Sequence, residues 1–381
     1  MSGKIRVGLI YGGKSGEHDV SLQTALAVMK AVDFNKYEVT PFYISKKGEW
    51  RSGSPLLGPA ESKEVLTFSS GADAAAHASN AIAPIFGAIQ TRGDVSIAST
   101  NPAGSMDTGL DVIFPLLHGT FGEDGTIQGL LEMANIPYVG AGVLASAVGM
   151  DKVMMKKIFA QEGLPQCIFR HFTRTEWEKN RAYHLVELET AIGYPCFVKP
   201  ANLGSSVGIS KARNQQELIK AVNFAFQYDR KVIVEENIDA REIEVAVLGN
   251  DEPIASVAGE IVPSNEFYDY KAKYMDGNSA MIIPADIPAE TSEQIRQLAV
   301  QAFLAVDGSG LSRVDFFLGK IDQKIYINEI NTMPGFTPFS MYPLLWKETG
   351  KPYTELLDDL IRLAIERHKA KQSIQYSFDV E

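Results

Sequence analysis

The chain has 381 residues, enough for two or three domains at about 150 residues each. Hydrophobic residues make up 45% and charged residues 22%, a balance that lets a globular chain of this length bury a core without covalent staples. A formal net charge of −11 and a pI of about 5.2 argue against general binding to nucleic acid or an anionic membrane, while leaving room for a local basic pocket. The two cysteines, Cys167 and Cys196, lack metal-type spacing and are expected to be reduced thiols in a cytoplasmic setting. The N-terminus enters an apolar strand at once without the pattern of a signal peptide, and no apolar run approaches the roughly 20 residues of a membrane span.

Residues 7–11 form a short apolar run ending in glycines, which predicts a buried strand. Helical spacing over 20–32 and a second strand over 39–44 complete a βαβ opening, the signature of an open α/β domain. Residues 51–108, rich in Ala, Gly, Ser and Pro, read as an elaborated insertion. A buried strand over 111–117, a glycine loop over 118–125 and a helix over 126–135 follow. Asp151 can cap a helix running to Gly163, with Pro165 beyond it. Strands are then expected at 196–199, 231–235, 242–248, 254–261, 310–318 and 324–330, with helices at 215–226 and 292–305. Strands grouped in this way favour an α+β region with an antiparallel sheet. The last dozen residues read as a frayed tail.

Gly8-Leu9-Ile10-Tyr11-Gly12-Gly13-Lys14-Ser15 matches the P-loop pattern letter for letter. It is rejected, because a P-loop spacer must be loop whose amides cradle phosphate, whereas Leu9, Ile10 and Tyr11 read as strand.

Five constellations carry chemistry. Arg313 and Asp315 share a strand face, as do Glu329 and Asn331, and 319–324 reads as the hairpin turn between them. A turn centred on Asp322 sets Asp315 opposite Glu329 and Arg313 opposite Asn331. Adjacent carboxylates repel unless a cation sits between them, and oxygen ligands of this kind suit Mg²⁺. The same residues would also serve as a solvated hairpin face with one salt bridge. Lys199 ends a strand, and the Gly204-Ser205-Ser206-Val207-Gly208 loop after it offers amides to phosphate, or is a plain turn. Lys152 stands at a helix start, where the dipole disfavours a cation unless phosphate is in reach, or it extends to solvent. The apolar strand ending at Glu235 and Glu236 could meet an adenine edge and ribose hydroxyls, or be a surface strand end. Aromatics and lysines from Tyr268 to Tyr274 suggest a lid, or a surface loop.

In order, these segments resemble the ATP-grasp superfamily and, within it, the D-alanine–D-alanine ligases. The resemblance rests on Gly12 to Ser21, His118-Gly119 with Gly122-Glu123-Asp124-Gly125, Met150-Asp151-Lys152, and Lys199-Pro200 with Gly204 to Gly208. It continues through Tyr268-Asp269-Tyr270, Arg313-Val314-Asp315 and Asn328 to Thr337, and so runs nearly the whole chain. It implies an open α/β N-terminal domain at 1–123, a central ATP-grasp subdomain at 124–212, and a C-terminal subdomain at 213–372 with a lid over 263–284. ATP would be bound by Lys152, Lys199, Ser205, Ser206, Glu235, Glu236, Ile238, Glu242, Lys273 and Asn328, with main-chain contacts at Glu236. Asp315, Glu329 and Asn331 would hold two Mg²⁺ ions, with Mn²⁺ able to substitute. Glu17 would anchor the amino group of the first D-alanine, near His118, and join Ser205 and Tyr274 in closing the lid. Arg313 and the Gly335 amide would stabilise the oxyanion, and Ser340 and Met341 would meet the carboxylate of the second D-alanine. The implied activity is D-alanyl-D-alanine synthesis for peptidoglycan through a D-alanyl phosphate, in a homodimer. A tyrosine at the Tyr274 position accompanies dipeptide formation in this family, and a phenylalanine accompanies acceptance of D-lactate. A D-alanine–D-lactate ligase, another ATP-grasp carboxylate–amine ligase and a two-lobed sensor remain alternatives, although a sensor has no use for the paired carboxylates.

Overall fold

The computed structural model describes residues 3–68, 109–204, 207–262 and 280–375. The opening βαβ unit is present: β1 (Ile5–Gly12), α1 (His18–Ala31) and β2 (Tyr37–Ile44). β1 pairs in parallel with β2 and with β4 (Val112–Leu116), and the short β3 (Trp50–Ser52) adds an antiparallel edge, giving the order β3-β2-β1-β4. These strands are apolar on both faces because both are covered, as parallel sheets require. Val7, Leu9 and Tyr11 pack against Leu22, Ala25 and Met29 of α1. Ile10, Phe42 and Ile113 pack against Ile127 and Leu131 of the helix at Thr126–Met133. Gly8 lies within β1, where a β-carbon would strike Ile113 Cδ1 at 2.5 Å, so close packing rather than a phosphate loop explains it. The start of the expected insertion is ordered into β3 and α2 (Lys63–Leu66), whose Leu66 carbonyl accepts from the Tyr11 hydroxyl at 2.9 Å; residues 69–108 lie outside the described residues.

Helices α3 (Thr126–Met133), α4 (Val143–Met150) and α5 (Lys152–Gln161) lead onward. Asp151 caps α5 as expected, its carboxylate accepting from the amides of Val153 and Met154, both at 3.1 Å. The second sheet is antiparallel, in the order β5-β8-β6-β7: β5 (Phe169–Thr173), β6 (Cys196–Pro200), β7 (Ser210–Ala212) and β8 (Lys231–Glu236). α6 (Arg174–Lys179), α7 (Arg181–Ala191) and α8 (Gln215–Ala225) cover it, and Trp177, Leu188, Leu218 and Val222 share its core with Val198 and Val234. The third sheet, β11-β10-β9-β12-β13, joins β9 (Ala240–Gly249), β10 (Ile254–Val262), β11 (Ala280–Ile282), β12 (Gly310–Gly319) and β13 (Ile325–Asn331). α9 (Ala289–Ala305) fills one face through Ile295, Ala299 and Phe303. α10 (Met341–Glu348) and α11 (Tyr353–Gln372) occupy the other.

α11 also reaches the first sheet. Leu357 and Ile361 join Val7, Leu9 and Phe114 in one core, and Asp358 accepts from Lys36 Nζ at 2.7 Å and from the Tyr37 hydroxyl at 2.8 Å.

Four expected boundaries shift. The first core continues past 123 through Ile127, Leu131 and Tyr138. A break at 212 would cut the second sheet, because β8 pairs with β5 and β6. The expected lid ends in β11, which pairs with β10. The expected tail is helical through Gln372, since the last turn of α11 is held by Lys371 to Glu132 and Gln372 to Asn135.

Candidate active site

A cleft of about 980 Å³ opens between the second and third sheets, bounded by the starts of α1 and α5. Every sequence-designated residue among the described ones lines it. Ser205, Ser206, Lys273 and Tyr274 lie outside the described residues.

At one end stand Lys152, Lys199, Glu235, Glu236, Ile238 and Glu242. Glu235, buried at the end of β8, has a lysine on each oxygen: Lys156 Nζ 3.1 Å from Oε1 and Lys199 Nζ 2.5 Å from Oε2. Burial pushes the Glu235 carboxyl up, but the two ammonium groups outweigh it and hold the group well below the usual carboxylate range. Burial likewise opposes the charge on both lysines, and Glu235 more than compensates, raising both. Lys156 escaped the sequence reading. Cys167 Sγ lies 3.6 Å from its ammonium, and burial drives that thiol up to about 11. Lys152 donates to the Leu203 carbonyl at 2.9 Å and stands 3.5 Å from Glu329 Oε2. The Glu236 side chain accepts from the Ile168 amide at 2.7 Å.

The β12–β13 hairpin supplies the middle of the cleft. Asp315 pairs with Glu329 and Arg313 with Asn331, as the turn placement predicts. Nearer the turn the register differs by one, with Phe316 opposite Ile327, so Asn328 is the extra residue of a β-bulge. Ile325, Ile327 and Ile330 are buried, and Asn328 joins Glu329 and Asn331 among the cleft residues. Asp315 has a cationic partner within the chain. Arg313 makes a bidentate pair with Asp315, Nε–Oδ1 and Nη2–Oδ2 both at 2.7 Å, and its Nε also lies 3.0 Å from Glu244 Oε2. Asn331 donates to Asp315 Oδ2 at 2.9 Å. Two carboxylates and one amide make a hard, oxygen-only donor set. Among the described residues no three or more His, Cys, Asp and Glu side chains are arranged to hold a metal ion by themselves. That is too few ligands for an all-protein cage and fits Mg²⁺, which completes its shell with phosphate oxygens and water.

At the other end, Glu17 is buried at the N-cap of α1. A β-carbon on Gly204 would sit 3.8 Å from Glu17 Oε1, so the carboxylate lies beside Gly204. His118 is buried, with Nε2 3.1 Å from Thr24 Oγ1, Nδ1 3.2 Å from the Met333 carbonyl and 3.7 Å from Glu123 Oε1. Burial pushes His118 toward neutrality, but the Glu123 carboxylate prevails and raises it. Ser340 is the N-cap of α10, so the first amides of that helix, from Met341 on, have no intrahelical acceptor and suit a carboxylate. Its hydroxyl accepts from the Thr337 amide at 3.1 Å, and a β-carbon on Gly335 would meet it at 3.2 Å.

The D-ala D-ala ligase N-terminus family matches residues 6–141 and the D-ala D-ala ligase C-terminus family matches residues 158–362. The chain is 58% identical over 374 residues to the D-alanine–D-alanine ligase of Bacillus cytotoxicus, covering 98% of this chain and 99% of that protein. Among solved structures it resembles the D-alanine–D-alanine ligase of Coxiella burnetii, with a TM-score of 0.76 and 35% identity over 97% of this chain and 96% of that one. It also resembles the VanG D-Ala:D-Ser ligase of Enterococcus faecalis, with a TM-score of 0.79 and 36% identity over 95% of this chain and 100% of that one. On the match of both family halves and of full-length relatives, the chain belongs to the D-alanine–D-alanine ligase family.

Proposed function

We propose that this protein joins two D-alanine molecules, using ATP, through a D-alanyl phosphate, to make the dipeptide for peptidoglycan precursors. The observation that carries the reading is a single cleft holding a lysine-rich end, an Arg313–Asp315–Glu329 block and, beyond it, Glu17 and the α10 N-terminus. A carboxylate does not condense with an amine unaided at neutral pH. The first D-alanine, held by its ammonium on Glu17, attacks the γ-phosphorus of ATP through its carboxylate and releases ADP. The second D-alanine, its carboxylate at Ser340 and Met341, arrives with a neutral amine and attacks the acyl carbon. Inorganic phosphate leaves as the amide bond forms. Arg313 and the Gly335 amide donate to the oxygen on which charge develops. Asp315, Glu329 and Asn331 would hold Mg²⁺, or Mn²⁺ in its place, which neutralises phosphate charge. Lys273 and Tyr274 belong to the segment that would exclude water from the acyl phosphate.

The three units proposed are a first α/β unit, a central β5–β8 unit and a β9–β13 unit. A homodimer in the cytoplasm is proposed with them. The test is phosphate release that requires both ATP and D-alanine, with the product identified by mass. Similarity to a D-Ala:D-Ser ligase makes D-serine, alongside D-lactate, the competing acceptor to include. Phosphate release independent of D-alanine would remove the proposal.

A further inference from the structure

Lys156 lies one turn beyond Lys152 on α5, on the same helical face. Lys152 opens into the cleft, whereas Lys156 is 1% exposed and lies behind it. A lysine so placed must be paired or it would shed its proton. Its partner is Glu235 Oε1 at 3.1 Å, and its ammonium also lies 5.9 Å from the centre of the Phe169 ring. The other oxygen of Glu235 receives Lys199 at 2.5 Å. Unlike Lys156, both Glu235 and Lys199 line the cleft.

The charges decide what Lys156 does. Two ammonium groups share one carboxylate, which leaves the buried cluster with one surplus positive charge. Without Lys156, Glu235 and Lys199 would close into a neutral pair, and the Lys199 ammonium would be drawn to both carboxylate oxygens. With Lys156 neutralising Glu235 from behind as an ion-pair partner, Lys199 retains charge and a donor for a ligand in the cleft. We propose that Lys156 is a positioning residue for nucleotide: by neutralising Glu235 from the side away from the cleft, it frees Lys199 to bind phosphate. The proposal rests on the reading of this end of the cleft as the ATP site and adds to it a residue that does not itself touch the ligand.

The same charge count says that the fold tolerates the loss. Removing Lys156 leaves a neutral buried pair rather than an orphaned charge, and methionine keeps the length of the buried stem. The experiment is calorimetric titration of the full-length protein with Mg–ADP, with steady-state kinetics beside it. Lys156→Met should weaken ADP binding on the order of tenfold, the scale of a hydrogen bond between charged groups. The loss should appear in KM for ATP rather than in kcat or in KM for D-alanine. Lys156→Gln keeps a donor without charge, should fall between, and carries the test if the methionine variant does not fold. In a Glu235→Gln background the Lys156→Met change should lose its effect, because the residue acts through that carboxylate. ADP affinity equal to wild type in both Lys156 variants, or a loss confined to kcat, would overturn the proposal. So would an undiminished effect in the Glu235→Gln background. Failure of the wild type itself to bind Mg–ADP would instead overturn the nucleotide reading of this end.

Discussion

At Arg313 the difference between a guanidinium and an ammonium is visible in the hydrogen bonds. Two parallel donors reach Asp315 while Nε also faces Glu244, an arrangement that a point charge cannot reproduce. Arg313→Lys should therefore lower kcat by about 10²–10³, the usual cost of losing a donor to a developing oxyanion, with a smaller effect on ATP affinity. Steady-state kinetics with saturating D-alanine reads this directly, and a wild-type kcat would reduce Arg313 to a structural partner of Asp315. The pairing also revises an expectation from the sequence. Facing carboxylates suggest that neutralising either one would relieve repulsion, but Asp315 is already engaged by Arg313. Asp315→Asn should lower the melting temperature, with a loss of about 3 kcal/mol of stability for a largely buried pair, and Glu329→Gln should lower it less. Both should abolish Mg²⁺-dependent turnover, and retention of turnover in both would remove the metal assignment. The legible residues were those whose type is odd for their place, such as charged groups on an apolar ribbon. Lys156 was not legible because a lysine within a helix reads as solvent-facing; only its contact with β8 reveals its burial. For Tyr274, outside the described residues, the family pattern predicts that Tyr274→Phe gains D-alanyl–D-lactate synthesis while keeping some dipeptide formation. The shift should be partial, since one hydroxyl's hydrogen bond is worth about 1 kcal/mol. The measurement is the product ratio against pH with both acceptors present, and an unmoved ratio would sink the idea.

At the scale of elements, the alternation of strand faces and the turn placement account for the facing pairs Asp315–Glu329 and Arg313–Asn331 but not for the place of Asn328. Strict alternation sends Asn328 and Glu329 to opposite faces. The bulge sets both on the cleft and leaves Ile325, Ile327 and Ile330 inward. The signal was present in the spacing of those isoleucines, two apart and then three, which no regular strand with one buried face can satisfy. The bulge is thus a device that aims side chains, and its removal can be tested. Deleting Asn328 restores regular pairing with Glu329 still opposite Asp315 and Ile330 still inward, and takes only the Asn328 side chain from the cleft. Turnover should fall through a raised KM for ATP, because Asn328 is placed among the ATP contacts, and far-ultraviolet circular dichroism should stay close to that of wild type. Full activity in the deletion variant would mean that the bulge has no part in holding the site. The loop boundaries were less legible because β11 and the β3–α2 segment are short and owe their order to tertiary partners rather than to their own pattern.

Over the whole molecule, the buried Glu235 cluster gives stability a pH dependence of definite sign. The folded-state pKa of Glu235 is depressed from 4.5 to about 2, so its contribution is full above pH 4.5 and is lost as pH falls toward 2. Urea unfolding midpoints measured across that window should fall more steeply for wild type than for Glu235→Gln; parallel curves would show that the pair does not couple to folding. The parallel first sheet was legible from its βαβ run, but the separation of the later strands into two sheets, where one was expected, was not, nor was the sharing of cores between distant segments. Periodicity describes a segment, whereas the joint core of β1 and α11 is a property of the closed chain. That joint core bears on how the protein is made. The ribosome releases β1, α1, β2 and β4 long before the helix that covers Val7, Leu9 and Phe114 has been translated. The nascent first sheet therefore leaves the tunnel with the part of its apolar face that α1 does not cover still bare, a surface that invites chaperones and, without them, aggregation. A chain ended before Tyr353 should reproduce that state permanently. It should bind hydrophobic dyes and expose the first sheet to protease, while the central sheet, whose core draws nothing from α11, stays protected.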